Sequence, residues 1–227
     1  MDIPTLQWEA FLQRFKWEQG EHITLVGPTG QGKTMLSRHL LDRRRFVVVF
    51  ATKRKDPMID RMKKDGYALI RRFDGQRVQG DRYILQPPQG KSIRETRANQ
   101  KREFGYAMEV AYEQGSWCVV IDEGKMICDT FGLTPEVEML LQGGRTLGVS
   151  VIMGVQRPVK IPLAAYDQAT HLFFFREGDE ANLKRIGGIG GVSNKLVREA
   201  VSMLESHQVL YLNTRNGEMA ITKAKVR

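Results

Sequence analysis

Residues 27–34 read Gly27-Pro28-Thr29-Gly30-Gln31-Gly32-Lys33-Thr34, a match to the pattern G-x-x-x-x-G-K-[ST]. An apolar run at residues 23–26 precedes this stretch, and a helical pattern at residues 35–42 follows it. Glycines between a strand and a helix let successive amide N–H groups turn inward toward phosphate oxygens, and the helix dipole favours the same negative charge. The stretch therefore predicts a phosphate-binding loop, in which Lys33 contacts the β- and γ-phosphates of a nucleotide and Thr34 is a ligand of Mg²⁺. The alternative is a glycine-rich turn that matches the pattern by chance.

Length and composition are those of one soluble α/β domain. The chain has 227 residues, of which 27% are charged and 41% hydrophobic, and this size allows a substantial core. No apolar run approaches the ~20 residues that a membrane-spanning helix needs, and the N-terminal segment does not resemble a signal peptide. We expect a single domain over residues 1–227 and a cytoplasmic location.

The charge balance suggests a type of binding partner, and the positions of the cysteines indicate their redox state. Lys and Arg outnumber Asp and Glu by 35 to 26, which gives a net charge of +9 and suggests a polyanionic partner such as nucleic acid. Cys118 and Cys128 lie in no metal-binding pattern, so we expect both to be reduced thiols in the core.

Apolar runs alternate with helical patterns along most of the chain, which predicts a doubly wound, mainly parallel sheet with flanking helices. Strands are expected at residues 23–26, 46–50, 67–70, 82–85, 117–122, 149–155, 171–175, 209–212 and 219–222. Helices are expected at residues 4–18, 35–42, 57–64, 91–114, 135–146, 163–169, 179–186 and 193–204, with a glycine-rich break at 187–191. The expected parts are an amphipathic N-terminal helix within residues 1–20, a core at 21–212, and a C-terminal β-hairpin with a basic tail at 207–227. In such sheets ligands bind at the carboxyl ends of the strands.

Two acids, Asp122 and Glu123, end the apolar strand at residues 117–122. We expect Asp122 to hold Mg²⁺ through its water shell and Glu123 to be the general base that activates water for attack on the γ-phosphate of ATP. Gln156 ends the strand at 149–155 and is expected to sense the γ-phosphate or to orient that water. The alternatives are a helix N-cap for the two acids and a polar strand cap for Gln156. A GTPase is disfavoured because the N-K-x-D guanine pattern is missing.

Residues 144–158 read G-R-T-L-G-V-S-V-I-M-G-V-Q-R-P, which resembles the G-R-x-x-G-[apolar strand]-x-T-Q-R-P signature of the HerA/FtsK superfamily of DNA-pumping ATPases. Residues 174–176, followed by Asp179 and a helical pattern, are similar to that family's next strand. The likeness spans about residues 21–212, with Val155 at a position where the family usually has Thr. It implies a P-loop NTPase of the RecA-like (ASCE) class that uses ATP and Mg²⁺ and forms a homo-oligomeric ring with nucleotide between neighbouring subunits.

Arg145 matches the family position that often acts as an arginine finger on the neighbouring subunit's nucleotide, where a guanidinium stabilises the charge that develops on the γ-phosphate. The alternative for Arg145 is an arginine at a helix C-terminus that interacts with the helix dipole. Arg157, Arg176 and Arg185 are further candidates for the finger.

The resemblance implies an ATP-driven translocase of double-stranded DNA. The chain is most similar to the genome-packaging ATPases of tailless, internal-membrane bacteriophages of the tectivirus type, which pump viral DNA into a preformed capsid. This resemblance implies that the protein binds double-stranded DNA without sequence specificity and binds further copies of itself. It also implies binding to a capsid portal or special-vertex protein and to small viral membrane proteins. The location is then the host cytoplasm or the virion vertex. The alternatives are a conjugation or mobile-element DNA-transfer ATPase and a DNA-independent phage assembly or secretion ATPase; a small-molecule kinase fits least.

Contacts with DNA phosphates require Lys and Arg on surfaces that face the duplex. We expect Lys53, Arg54 and Lys55 to make such contacts. A second basic group also qualifies, although a solvated helix face explains it equally well: Lys91, Arg94, Arg97, Lys101 and Arg102.

Overall fold

The computed structural model describes residues 3–75, 81–158, 161–189 and 191–223. In these residues nine strands form one sheet in the order β3-β4-β2-β5-β6-β1-β7-β8-β9. The strands are β1 (His22–Val26), β2 (Val47–Phe50), β3 (Ala68–Ile70), β4 (Arg82–Leu85), β5 (Cys118–Ile121), β6 (Ser150–Val155), β7 (Ala169–Phe175), β8 (Gln208–Asn213) and β9 (Met219–Lys223). The helices are α1 (Trp8–Arg14), α2 (Lys33–Leu41), α3 (Pro57–Lys64), α4 (Ile93–Gln114), α5 (Thr134–Gly143), α6 (Ala164–Asp167), α7 (Glu180–Gly187) and α8 (Asn194–Met203).

The sheet is parallel from β3 to β7, and the hairpin of β8 and β9 extends it in the antiparallel sense. The predicted fold class is therefore confirmed, including the C-terminal hairpin. β1, β5, β6 and β7 are buried along their whole length, as expected for parallel strands that helices cover on both faces.

Helices divide between the two faces of the sheet. Side chains of α1, α2 and α3, such as Phe11, Leu36 and Met62, pack on one face. Side chains of α4, α5, α7 and α8, such as Phe104 and Leu140, pack on the other. Both cysteines are buried and unpaired, as predicted. Among the described residues, none of the helices combines the length and apolar character that crossing a membrane requires.

The N-terminal segment differs from the predicted helix at residues 4–18. Only α1 is helical, because the backbone before it pairs with β9: the Leu6 N–H donates to the Ile221 carbonyl at 2.8 Å, and the Ile221 N–H donates to the Pro4 carbonyl at 2.9 Å. The expectation that the aromatic residues of this segment belong to the core is confirmed, since Phe11 and Phe15 are buried.

Two further helices have boundaries that differ from the predicted ones, and one further helix was not predicted. The helix expected at residues 163–169 is the single turn α6, and Ala169 already belongs to β7. The helix expected at 135–146 ends as α5 and continues as the 3₁₀ turn Gly144–Leu147. A π-helix, Met126–Thr130, follows the two acids and had no sequence signal. In the predicted glycine-rich break at residues 187–191, Gly187 is the last residue of α7, and Gly190 lies outside the described residues. The predicted basic tail, residues 224–227, also lies outside the described residues.

Strand register brings the predicted functional residues to one edge of the sheet. Val26 pairs with Val155, and Ile121 pairs with Met153. The phosphate loop after β1, the acids after β5 and Gln156 after β6 therefore leave the sheet side by side at its carboxyl edge.

Candidate active site

The loop at residues 27–34 joins β1 to α2 and is shaped by close backbone approach. The Gly27 N–H donates to the Val155 carbonyl at 3.0 Å, which anchors the loop to β6. A Cβ on Gly27 would lie 2.6 Å from the Cβ of Phe175, so a side chain there would displace β7. Gly32 precedes α2 in a left-handed conformation with φ of 107°, which favours glycine. These positions explain the spacing of the glycines.

Lys33 is buried inside the loop. Its Nζ donates to the carbonyls of Gly27 at 2.6 Å and Pro28 at 2.8 Å. The residue is only 7% exposed. Burial lowers the pKa of Lys33 to about 8. The ammonium group is thus held at the centre of the loop, within reach of phosphate oxygens that the loop would bind.

Thr34 and Asp122 place adjacent oxygen atoms where they could hold a divalent cation. The Thr34 hydroxyl donates to the Asp122 carboxylate at 2.9 and 3.0 Å, and burial raises the pKa of Asp122. Gly154 lets β6 approach closely, since a Cβ there would lie 2.3 Å from the Asp122 carbonyl oxygen. Mg²⁺ binds through one or two protein oxygens, with water and phosphate oxygens completing its shell. The residues present therefore fit Mg²⁺.

Glu123, the predicted general base, is held at both carboxylate oxygens. Lys53 lies 2.7 Å from Oε1, and the Thr52 hydroxyl donates to Oε2 at 2.7 Å. Both partners directly follow β2, the neighbour of β5 in the sheet. The contact with Glu123 raises the pKa of Lys53. Lys53, which we expected to contact DNA, is therefore paired with Glu123 in the candidate site, although its side chain is 52% exposed. Its neighbours Arg54 and Lys55 are also exposed.

Sequence reasoning missed Thr52. The available signal was its position just after the apolar run at 46–50, but the order of strands in the sheet is needed to bring that position beside Glu123. Gln100 on α4 donates to the Thr52 carbonyl at 2.8 Å and fixes the backbone at this point.

Two adjoining cavities meet at the predicted catalytic side chains. One has a volume of about 250 Å³ and is lined by Lys33, Thr34, Asp122 and Glu123 together with loop residues. A larger cavity of about 640 Å³ continues past Glu123 and Gln156. Gln156 lines both cavities and is exposed, so it lies between the phosphate loop and the wider cleft.

His207 is a second residue that sequence reasoning missed. It lines the smaller cavity, and its Nδ1 lies 3.2 Å from the Gln31 carbonyl oxygen. No local pattern marks it, because it reaches the loop from the turn before β8.

Arg145 is not brought to this site within one chain. It lies in the 3₁₀ turn after α5 and hydrogen-bonds the Thr170 hydroxyl. Thr170 belongs to the start of β7, next to the start of β1, so Arg145 is at the amino edge of the sheet, opposite the phosphate loop.

The other candidate arginines lie elsewhere. Arg157 lines the larger cavity beside Gln156, and Arg176 is exposed just after β7. The Arg185 guanidinium lies 5.6 Å from the centre of the Tyr166 ring. The second basic group, on the first turns of α4, is exposed: Lys91, Arg94, Arg97, Lys101 and Arg102.

A loop that matches the phosphate-binding pattern, a buried lysine, a hydrogen-bonded Thr–Asp pair and a glutamate after β5 occupy one edge of a mainly parallel sheet. The fold is that of the P-loop ATPases. One similar solved structure is the genome packaging NTPase B204 from Sulfolobus turreted icosahedral virus 2 in complex with sulfate, with a TM-score of 0.67 and 15% identity over 93% of this chain and 100% of that chain. The same protein in complex with ATP-gammaS matches with a TM-score of 0.64 and 16% identity over 92% of this chain and 100% of that chain.

VirB4 and a conjugation coupling protein also share the fold. VirB4 of Thermoanaerobacter pseudethanolicus matches with a TM-score of 0.64 and 11% identity over 91% of this chain and 89% of that chain. The pCW3 conjugation coupling protein TcpA, solved with ATPgS, matches with a TM-score of 0.56 and 14% identity over 91% of this chain and 60% of that chain. No protein-family model matches the sequence, and the comparison with curated proteins gives no match either.

Proposed function

We propose that this protein is an ATPase that moves double-stranded DNA and packages viral genomic DNA into a preformed capsid. The observation that carries the proposal is the meeting of Lys33, the Thr34–Asp122 pair and Glu123 around one cavity of about 250 Å³. These are the groups that binding and hydrolysis of a Mg²⁺-bound triphosphate require.

Each residue has a defined part in hydrolysis. The loop amides and Lys33 bind the β- and γ-phosphates, and Lys33 neutralises charge that builds up on the leaving phosphate oxygens. Thr34 and Asp122 would hold Mg²⁺, which would supply positive charge to neutralise part of the charge of the phosphates. Glu123 accepts a proton from the attacking water, and Gln156 orients that water. Thr52 and Lys53 hold the Glu123 carboxylate in place.

DNA packaging is supported by charge and by fold likeness. The net charge of +9 and the exposed basic start of α4 suit a polyanion that is contacted through its phosphates. The alignment with the genome packaging NTPase B204 spans the whole of that chain. We propose packaging of the tectivirus type, at a special capsid vertex in the host cytoplasm, with a portal or vertex protein and small viral membrane proteins as partners.

We propose a homo-oligomeric ring in which Arg145 is an arginine finger, and the position of Arg145 supports this arrangement. Its guanidinium is at the amino edge of the sheet, bonded to Thr170, whereas the phosphate loop is at the carboxyl edge. Arg145 can therefore act as an arginine finger only on the nucleotide of a neighbouring subunit. In the ring, exposed Arg54 and Lys55 are the proposed contacts with DNA.

DNA transfer in conjugation, or protein secretion, is the second candidate function. The likeness to the conjugation coupling protein TcpA favours DNA transfer in conjugation. A DNA-independent secretion ATPase would share the hydrolytic site, so dependence on DNA separates it from both DNA-moving candidates.

Steady-state ATP hydrolysis with and without long duplex DNA, at two salt concentrations, tests the proposed function. We expect DNA to stimulate hydrolysis, higher salt to weaken the stimulation because phosphate contacts release counterions, and Glu123→Gln to abolish hydrolysis while nucleotide still binds. Hydrolysis that is indifferent to DNA would contradict DNA movement and favour the secretion ATPase.

A further inference from the structure

His207 comes to the phosphate loop from a distant part of the chain. It directly precedes β8, and it lines the same cavity as Lys33 and Thr34. Its Nδ1 lies 3.2 Å from the Gln31 carbonyl oxygen. Because a carbonyl oxygen only accepts, the hydrogen on Nδ1 is fixed by this contact. Among the described residues, Nε2 has no hydrogen-bond partner. One edge of the ring is thus tied to the loop, and the rest of the half-buried ring remains for a ligand.

The backbone of His207 is held in an unfavourable conformation. Its φ is 65°, and Ser116 is the only other described non-glycine residue with a positive φ. This left-handed backbone conformation costs free energy in residues that have a Cβ. Residues in such a conformation persist where the surrounding structure imposes it, often at functional sites. Here the Gln208 N–H donates to the Glu205 carbonyl at 3.1 Å, and the Glu205 N–H donates to Gln208 Oε1 at 2.9 Å. These hydrogen bonds hold the turn in the conformation that points the His207 imidazole toward the phosphate loop.

The position of the ring along the loop indicates which part of a nucleotide it meets. Glu123 and Gln156 mark the γ-phosphate end of the cavity, and Lys33 reaches the β- and γ-phosphates. His207 instead packs at Gly32, where a Cβ would lie 3.7 Å from its Nδ1. Gly32 directly precedes α2. Because the proposed function places the γ-phosphate at Glu123 and Gln156, the other end of the nucleotide, its α-phosphate and nucleoside, is expected on the side of Gly32 and the start of α2.

We infer that the imidazole ring of His207 is the packing surface for the nucleoside of the bound nucleotide. This inference rests on the proposed function, because it takes the loop to bind ATP. A flat aromatic ring can stack on a nucleobase. His207 then selects nucleotides over simple polyphosphates, while the loop itself supplies affinity for phosphate.

The test compares two ligands and two substitutions by calorimetric titration. The ligands are the non-hydrolysable analogue AMPPCP and inorganic tripolyphosphate, each with Mg²⁺. His207→Asn removes the ring but retains a side chain that tolerates the left-handed conformation and an amide that can donate to the Gln31 carbonyl. His207→Phe retains a flat ring without the ring nitrogens. Thermal unfolding of each variant controls for folding.

We expect His207→Asn to weaken AMPPCP binding about tenfold, the size of one lost base-stacking contact, and to leave tripolyphosphate binding unchanged. His207→Phe should retain most of the affinity for AMPPCP. Unchanged AMPPCP binding in His207→Asn, an equal loss for tripolyphosphate, or a loss in His207→Phe as large as in His207→Asn would each overturn the inference. If the wild-type protein binds neither ligand, the proposed nucleotide site fails, and the inference fails with it.

Discussion

His22 is a buried histidine whose neutral state the fold requires. It is the first residue of β1 and only 1% exposed. The Val151 N–H donates to Nδ1 at 3.1 Å, so Nδ1 must be unprotonated, and Nε2 therefore carries the hydrogen that faces the Leu141 carbonyl at 3.1 Å. Burial, and secondarily the charge of Arg145, lower the pKa of His22 to about 4, although Glu21 acts in the opposite direction.

The sign of the resulting pH dependence follows from linkage. The folded pKa lies below the unfolded value of about 6.5, so the unfolded chain takes up the proton first as the pH falls. The contribution of His22 to stability is complete above the unfolded pKa and is lost as the pH falls toward 4. With these two pKa values, the loss between about pH 7.5 and pH 5 is about 2 kcal/mol.

Urea unfolding at these two pH values measures the effect in the wild type and in His22→Gln, which removes the titrating ring. We expect the free energy of unfolding to fall by about 2 kcal/mol more in the wild type than in the variant, whatever the variant's absolute stability. Other titrating groups, including buried His171, are present in both proteins and cancel in the comparison. An equal acid-induced loss in both proteins would refute the assignment of a neutral, hydrogen-bonded His22.

Four substitutions, in three experiments, test the proposed active site. Gly154→Ala should reduce ATP hydrolysis at least about tenfold, because its Cβ would lie 2.3 Å from the Asp122 carbonyl oxygen and would shift the acids; unchanged steady-state kcat would contradict the predicted role of this strand contact. Thr52→Val should lower kcat about tenfold with little change in KM, because Glu123 Oε2 loses its donor; a change confined to KM would contradict a positioning role. Arg145→Ala and Glu123→Gln should each be inactive alone but partly active when the two variants are mixed. In a mixed ring, an Arg145→Ala subunit keeps Glu123 and can receive Arg145 from a neighbouring Glu123→Gln subunit. No recovery of hydrolysis on mixing would contradict an arginine finger that acts on the neighbouring subunit.

Two controls accompany these measurements. Gly178→Ala is the matched control for the glycine substitution, because a Cβ there would meet no heavy atom within 4 Å, and hydrolysis should be unchanged. Circular dichroism and thermal unfolding of every variant separate loss of activity from loss of fold.

The sheet and the meeting of the phosphate loop with the two acids followed from local patterns. Residues 23–26, 117–122 and 149–155 are apolar on both faces, and this pattern already indicates central parallel strands. Polar residues directly after such strands must share the carboxyl edge, whatever the strand order. For that reason Asp122 and Gln156 could be expected at the same edge of the sheet as the loop without knowledge of the strand order.

Features that depend on pairing between distant segments did not follow from the sequence. Residues 4–6 carry part of a helical pattern, but their backbone joins Ile221 on β9, and a local pattern contains no information on that bond. Thr52 and Lys53 reach Glu123 only because β2 lies next to β5. His207 reaches the loop only because β8 returns beside β7. Each of these contacts depends on strand order, which local patterns leave open.

We propose that ATP hydrolysis at this site moves the protein along duplex DNA. Displacement of a labelled third strand from a triplex on long linear duplex DNA measures that movement directly. We predict displacement with the wild-type protein and ATP, and none with Glu123→Gln or with AMPPCP. DNA-stimulated ATP hydrolysis that leaves the third strand bound would contradict the claim.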